Sequence, residues 1–193
     1  MSERIDTVAE PIYQLKITLE GIQPPVWRQV LVPGDFTLGD LHEVIQATFG
    51  WWDYHLHQFI VGETYYASPD VDDFEEFSAE DEDGVTLRQV APGEGFAFRY
   101  QYDFGDDWLH HILVEEIGVP EPGKEYPVVV DGQRACPPED VGGIWGYENF
   151  LRAIADPEHE EHEEFLEWVG GEFDPEAFDL DETNETLWEW GEE

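Results

Sequence analysis

The sequence predicts one α+β domain, built on a mixed, mainly antiparallel β-sheet with flanking helices and a helical C-terminal third. The first two thirds of the 193 residues contain segments in which apolar and polar residues alternate, as in half-buried strands. The last third has apolar residues at helical spacing. Strands that follow one another and then give way to helices are typical of this class. Because no repeat or linker-like segment interrupts the chain, we expect a flexible N-terminus at 1–11 and a single domain at 12–193.

The first half of the chain predicts two paired strands, a helix and a third strand. Alternation indicates strands at Ile12–Glu20 and Val26–Val32, separated by two prolines and placed to pair with each other. A helix should begin after Thr37, which has the character of an N-cap with an acidic residue three positions later, and should end at Gly50. Residues 55–62 (HLHQFIVG) predict the third strand, which turns into a short fourth.

The next part predicts an acidic loop and then a strand pair joined by a tight turn. The loop is expected at 67–84, followed by a short helical turn and by strands at Gly95–Tyr102 and Trp108–Ile117. The connector DFGDD predicts a turn in which aspartate oxygens accept backbone hydrogen bonds and Gly105 takes a positive φ. A further short strand is expected at 127–130.

The C-terminal third predicts three helices. Apolar residues recur at i, i+3, i+4 and i+7 over Tyr147–Ile154. Asp156–Pro157 indicates the start of a second helix, with a buried stripe within Phe165–Val169. Leu187 and Trp190 would anchor a last short helix.

The charge of the chain is its most unusual global property. There are 47 acidic and 8 basic residues, for a formal net charge of −39, spread along the whole sequence. Apolar residues make up 41% and aromatic residues 15%, so the chain is not a disordered acidic tail. Self-repulsion of this size calls for screening by salt, which predicts a protein from a halophile; a specific acidic partner-mimicking surface is the alternative. Nucleic acid is disfavoured as a partner because phosphate contacts need Lys or Arg.

The lone cysteine and the distribution of apolar residues limit the possible cysteine chemistry and the expected cellular location. Having one cysteine, Cys136, excludes an internal disulfide and a multi-cysteine zinc site. Its place before two prolines in a turn segment is compatible with a nucleophile, but no His or Lys lies near it in sequence, which favours a small buried group. The N-terminus lacks the apolar stretch of a signal peptide, and no run of about 18 apolar residues predicts a membrane span. We therefore expect a cytoplasmic protein without membrane partners.

Histidines and aspartates in two segments could hold a divalent metal ion. On a strand, His55 and His57 would project from one face about 7 Å apart, which suits two ligands of one ion. The aspartates of the DFGDD turn would add hard oxygen ligands to a mixed site of hydrolytic type. The alternative is that the histidines are hydrogen-bonded members of a sheet face and the aspartates shape the turn. The metal interpretation uses His42, His55, His57, Asp103, Asp106, Asp107 and His110.

Aromatic residues predict either a ligand groove or ordinary core packing. The pair Trp51–Trp52 lies close to further aromatic residues, and surface aromatics can stack on bases or sugars. Packing between the helix and the sheet is the alternative. The candidate groove would be lined by Trp27, Trp51, Trp52, His57 and Trp108.

The same segments carry a family resemblance. They are YQLKITLEGIQPPVWRQVLVP, LHEVIQATFGWWDYHLHQF, YDFGDDWLHHILVEE, CPPEDVGGIWGYENFLRAIADPEHEEHEEFLEWV and FDPEAFDLDETNETLW. In this order, over residues 13 to about 188, they resemble the plasmid pRiA4b ORF-3-like family, also described as passenger proteins of IS1096-type mobile elements. The resemblance implies a compact α+β domain and no particular mechanism. Departures from the family pattern mostly replace basic residues, as at Gln29, which fits adaptation to salt.

Two functions follow from these observations. We expect a non-enzymatic binding or accessory module of mobile-element or plasmid origin, which holds a protein, peptide or small ligand in the aromatic groove. The alternative is a metal-assisted hydrolase or nuclease-like enzyme that uses the histidines and aspartates. Convergence of three or more of these side chains on a common point would favour the metal.

Overall fold

An eight-stranded sheet organises the chain in the computed structural model, which describes residues 9–69 and 79–190. Parts of the predicted N-terminus and acidic loop, residues 1–8 and 70–78, lie outside the described residues. The strands are β1 (Ile12–Leu19), β2 (Trp27–Pro33), β3 (His57–Val61), β4 (Thr64–Ala67), β5 (Glu80–Asp81), β6 (Ala97–Tyr102), β7 (Trp108–Gly118) and β8 (Val128–Gln133). Their order across the sheet is β5-β4-β3-β6-β7-β1-β2-β8. Only the β4–β5 pairing is parallel in the described ranges, which confirms a mixed, mainly antiparallel α+β fold.

Five helices accompany the sheet in the described part of the chain. They are α1 (Leu38–Phe49), α2 (Leu87–Val90), α3 (Gly143–Ala155), α4 (His162–Trp168) and α5 (Leu180–Trp190), with a 3₁₀ turn at Glu82–Gly84 after β5. Helix α5 contacts both α1 and β8, while α3 contacts α4. Non-helical segments separate α3, α4 and α5, so the helical content of the C-terminal portion is modest. Over residues 9–69 and 79–190, no helix combines the length and apolar character needed to cross a membrane.

The limits of α1 follow from its capping residues, as the sequence predicts. Thr37 Oγ1 accepts the backbone N–H of Asp40 at 3.0 Å, and the Asp40 carboxylate accepts the N–H of Thr37 at 2.7 Å. Gly50 ends the helix in the left-handed region at a φ of 76°. Because glycine adopts this conformation without strain, the chain can leave the helix here and approach β3.

Alternation along the strands decides which side chains reach the helix-covered core. On β7, His110 is wholly buried and His111, the next residue, is exposed on the opposite face. On β6, Tyr100 is wholly buried while its neighbours Arg99 and Gln101 are exposed and half-buried, and on β3 the side chain of His57 points to the same core. Since β3 and β6 are neighbouring antiparallel strands, they bring His57 close to Tyr100. The sheet thus places two histidines beneath α1.

The predicted start of β3 is wrong by two residues. The strand begins at His57, and His55 lies in a bend before it. The chain is redirected at Asp53, which has a left-handed φ of 54°, and reaches the extended conformation only after Leu56. His55 and His57 are therefore not two side chains on one face of a strand.

The predicted start of α4 is also wrong, and its stripe is less buried than expected. Asp156 binds the backbone N–H of Glu158 at 3.0 Å and so supports a turn, while the helix begins only at His162. Trp168 is exposed and its apolar neighbours are half-buried, because α4 lies at the periphery and packs mainly on α3.

Candidate functional site

Two histidines and two carboxylates meet where α1, β3 and the 3₁₀ turn come together. We call His42, Asp53, His57 and Glu82 the His42 cluster. His42 Nε2 lies 3.0 Å from Asp53 Oδ1, and His57 Nε2 lies 2.9 Å from Glu82 Oε2. One potential ligand atom each from His42, Asp53 and His57 lies within 4.8 Å of the other two. The fold thus gathers three side chains of the kinds that bind divalent transition metals.

The two imidazole rings of the His42 cluster are stacked. Their centroids are 3.5 Å apart and their planes differ by 6°. Two protonated rings in this position would repel each other, so the arrangement favours neutral imidazoles. Burial lowers the pKa of His42 below its ordinary value, and the neighbouring Asp53 carboxylate offsets part of this effect. A neutral imidazole offers the lone pair that a metal ion requires.

A buried layer of polar side chains fixes this arrangement from behind. Gln46 Oε1 accepts the backbone N–H of Asp53 at 3.0 Å, and Gln46 Nε2 donates to the Tyr100 hydroxyl oxygen at 3.0 Å. The same hydroxyl lies 2.7 Å from His42 Nδ1. Although burial alone would raise it, the pKa of Asp53 is lowered overall by its contact with His42. Gln46 and Tyr100 therefore hold both His42 and Asp53 in place.

A second group, the His55 cluster, consists of His55, Asp103 and Asp140. His55 Nε2 lies 2.9 Å from Asp140 Oδ1 and 3.7 Å from Asp103 Oδ2. Here too, one potential ligand atom from each side chain lies within 4.8 Å of the others. Asp103 comes from the turn between β6 and β7, and Asp140 comes from the loop that precedes α3. Three segments distant in sequence therefore meet at this point.

An open groove of about 730 Å³ runs along the His42 cluster. Its wall includes acidic side chains of α1 and of the 3₁₀ turn, and the exposed side chains of Tyr54 and Leu56 lie at its rim. Trp190, the last residue of α5, also contributes to the wall. Among the described residues that line the groove there is no lysine or arginine. The groove is thus acidic, with an apolar rim, and has the volume of a ligand site.

The remaining metal candidates lie elsewhere. His110 is wholly buried against the rings of Phe49 and Trp51, and burial lowers the pKa of His110 to about 3. Asp106 Oδ2 accepts the backbone N–H of Gly142 at 3.0 Å, and Asp107 Oδ1 accepts from Gln101 at 2.6 Å. The structure therefore divides the seven candidates between two clusters, a core histidine and two hydrogen-bonded aspartates.

The turn between β6 and β7 differs from the prediction in its backbone. Asp103 Oδ1 does accept the N–H of Gly105, at 2.9 Å, as expected of an aspartate turn. Gly105, however, is not in the left-handed region, and the expectation of a positive φ there is wrong. Asp103 and Asp107 adopt it instead, at φ values of 53° and 58°, a conformation that aspartate tolerates better than most residues.

The five residues of the predicted aromatic groove do not form one surface. Trp51 and Trp108 are 2% and 1% exposed and belong to the core, where their rings stack 6.1 Å apart. Trp52 is 66% exposed. Trp27 lies on β2 beneath the ammonium group of Lys16, at 4.3 Å. Only His57 lines the groove beside the His42 cluster.

Sequence reasoning missed Asp53, Glu82 and Asp140. Asp53 lies only a few residues before the two predicted histidines, so its acidic side chain beside them was the available signal. Glu82 follows a run of acidic residues in which nothing distinguishes it, and Asp140 lies in a turn-rich loop. Their roles depend on which segments the fold brings together.

Cys136 is half-buried beside a buried cation. Arg28 Nη2 donates to Cys136 Sγ at 3.1 Å. Burial raises the pKa of the Cys136 thiol, although the Arg28 guanidinium acts in the opposite direction. A raised pKa disfavours the reactive thiolate.

Three comparisons relate the chain to known proteins. The family model described as plasmid pRiA4b ORF-3-like protein matches residues 11–182. Uncharacterized protein y4hQ of Sinorhizobium fredii (strain NBRC 101917 / NGR234) is 40% identical over 180 residues, which cover 91% of this chain and 90% of that protein. The crystal structure of MM3350, a protein of unknown function from Methanosarcina mazei Go1, is 37% identical with a TM-score of 0.80, and the match covers 91% of this chain and 97% of that one. The range matched by the family model contains both clusters.

Proposed function

The chain belongs to the plasmid pRiA4b ORF-3-like family, and we propose that its function depends on a divalent transition-metal ion bound by His42, Asp53 and His57. The observation that carries the proposal is the convergence of these three side chains beside an open groove. A tetrahedral ion with bonds of about 2.0–2.1 Å holds its ligand atoms about 3.3 Å apart. The 3.0 Å between His42 Nε2 and Asp53 Oδ1 is close to this separation.

The donor set indicates the class of metal. Two imidazoles and a carboxylate suit zinc, iron, cobalt, nickel or manganese, whereas calcium and magnesium prefer oxygen ligands alone. Both oxygens of Glu82 lie within 3.1 Å of His57 Nε2, in the position of the carboxylates that orient metal-bound histidines. Tyr100 has the corresponding position behind His42. Each proposed histidine ligand thus has an orienting partner.

The groove supports a binding role for the metal site. Three protein ligands leave a coordination position for a ligand or a water molecule. The exposed Tyr54 and Leu56 offer apolar surface to the same ligand, and the acidic wall disfavours phosphates. We therefore propose a module that holds a peptide or a small neutral or cationic molecule against the ion.

Metal-assisted hydrolysis is a second candidate, favoured by the same vacant position. A metal-bound water becomes a nucleophile near neutral pH, and the open groove would give a substrate access to it. The test is turnover of a peptide or ester panel by zinc-loaded protein. Zinc-dependent turnover that disappears in His42→Gln would support the hydrolase, and metal-dependent ligand binding without turnover would support the module.

Metal content tests the shared premise. We expect wild type, stripped with a chelator and dialysed against zinc in high-KCl buffer, to retain one equivalent more than His42→Gln or Asp53→Asn, because each variant removes a ligand. Elemental analysis of the dialysed proteins measures this difference. His111→Gln is the matched control, since His111 is exposed on the opposite sheet face and should leave zinc content unchanged. Equal zinc content in wild type, His42→Gln and Asp53→Asn would overturn the proposal.

A further inference from the structure

We infer that His55, Asp103 and Asp140 form a second divalent-cation site, which fastens the turn between β6 and β7 to the loop before α3. The inference uses none of the residues of the His42 cluster and stands independently of the proposed function. Its starting point is the convergence of one imidazole and two carboxylates, whose ligand atoms lie within 4.8 Å of one another.

The environment of His55 Nε2 points to a missing partner. This nitrogen is shielded from solvent, and it lies 2.9 Å from Asp140 Oδ1. The contact does not have the geometry of a hydrogen bond, so within the described residues the nitrogen has no hydrogen-bond partner. Buried polar atoms in folded proteins are nearly always satisfied. A cation between the three side chains would satisfy the nitrogen and neutralise the two carboxylates at once.

The spacing suits an ion bound by nitrogen and oxygen. The distances from His55 Nε2 to the two carboxylate oxygens, 2.9 and 3.7 Å, lie on either side of the roughly 3.3 Å expected around a tetrahedral ion. One imidazole with two carboxylates matches zinc, cobalt or manganese, whereas calcium would require six or more oxygen ligands. The proposed ligand is therefore a divalent transition-metal ion.

The backbone around the site is arranged to bring these segments together. Asp103 and Asp140 have left-handed φ values of 53° and 60°. Asp106 Oδ2 accepts the N–H of Gly142 at 3.0 Å. A Cβ at Gly143 would lie 2.5 Å from the backbone oxygen of Asp106, so the loop and the turn are in direct contact there. A bound cation would add the cross-link that the two carboxylates, left to themselves, oppose by repulsion.

Cobalt titration of the chelator-treated full chain tests the inference. We expect wild type to bind two equivalents of Co²⁺, followed by visible absorption and calorimetry, and Asp140→Asn to bind one. His42→Gln should keep the equivalent that Asp140→Asn loses, and its unfolding temperature should rise when Co²⁺ is added. Asp107→Asn is the control, since it makes the same charge change at another left-handed aspartate, which lies in the neighbouring turn and outside the cluster.

Each result separates this inference from the proposed function. If Asp140→Asn binds two equivalents of Co²⁺, or His42→Gln binds none, the site at His55 is overturned. The site at His42 is then judged by its own variants. One equivalent in wild type that survives in His42→Gln and disappears in Asp140→Asn would overturn the first site and support the second. Should Asp140→Asn fail to fold, histidine NMR of His42→Gln, which lacks the first site, decides: broadening of the His55 ring signals by Co²⁺ is expected, and unaffected signals would overturn the inference.

Discussion

His42 and His110 both enter the core between the helices and the sheet, but their surroundings give them different chemistry. His42, on α1, has the Asp53 carboxylate 3.0 Å from one ring nitrogen and the Tyr100 hydroxyl 2.7 Å from the other. His110, on β7, has its Nδ1 3.2 Å from the backbone oxygen of Trp108. Its Nε2 is buried without a hydrogen-bond partner among the described residues.

The difference shows that burial alone does not make a histidine a candidate metal ligand. Burial lowers the pKa of both histidines, so both are neutral near pH 7. Aromatic rings surround His110, whereas a second histidine, two carboxylates and an open groove adjoin His42. A neutral imidazole becomes a candidate ligand only where other donors face the same point.

Salt should stabilise the whole domain, and this stabilisation should not depend on His110, which is wholly buried. We expect the unfolding temperature of wild type to rise by about 10 °C or more between about 0.1 M and 2 M KCl, as screening relieves the repulsion of a net charge of −39. Differential scanning calorimetry measures the shift. His110→Phe should show a parallel rise. An unfolding temperature that stays flat would contradict the predicted salt adaptation.

Truncation of His110 should lower the free energy of unfolding without changing the zinc content. His110→Ala leaves a cavity among the aromatic rings, so we expect the free energy of unfolding to fall by about 3 kcal/mol in denaturant titrations. Zinc content should stay at the wild-type level. His111→Ala, at the next position on the exposed face, should change stability by less than about 0.5 kcal/mol. Loss of zinc in His110→Ala without loss of fold would break the distinction between the two histidines.

Tyr100 touches both regions and can show which one depends on its hydroxyl. Tyr100→Phe leaves His42 Nδ1 and Gln46 Nε2 without that partner, so we expect a loss of about 1–2 kcal/mol in stability. Zinc affinity of the His42 cluster should fall about tenfold, as is typical when the orienting partner of a ligand is removed. Calorimetric titration of Tyr100→Phe in the Asp140→Asn background measures this. Unchanged affinity would mean that Tyr100 does not position His42.

The sequence predicted the frame around these residues because the frame depends on local patterns. The capping box of Thr37 and the left-handed Gly50 determine the limits of α1, and period-two alternation separates His110 from His111. Both signals lie within a few residues of the feature that they predict. The fold class and the pairing of β1 with β2 follow from the same kind of pattern.

The composition of the clusters could not be predicted in this way. Two histidines separated by one residue on a predicted strand suggested one site, but the chain is redirected at the left-handed Asp53, and His55 and His57 belong to different clusters. Glu82 reaches His57 only because β5 returns to the edge of the sheet. Contacts between residues that are distant in the sequence produce no periodic pattern from which they could be predicted.

The pH dependence of stability should differ between wild type and a variant that lacks the His110 imidazole. The pKa of His110 is about 3 in the folded protein, against an ordinary value of 6.5. Between these values the unfolded chain binds more protons than the folded one, so this histidine makes stability fall as the pH drops from 6.5 towards 3. Many carboxylates titrate in the same range, which makes the wild-type curve alone uninformative.

His110→Phe isolates this contribution. With chelator present throughout, we expect the stability of His110→Phe relative to wild type to increase by about 1 kcal/mol between pH 7.5 and 5.5, because the variant no longer buries a group that acid protonates in the unfolded chain. Urea titrations at the two pH values measure the difference. His111→Gln should follow wild type, since His111 is exposed. Parallel stability curves for His110→Phe and wild type would show that His110 binds its proton equally well in the folded protein. Burial among aromatic rings would then not explain the difference between His110 and His42.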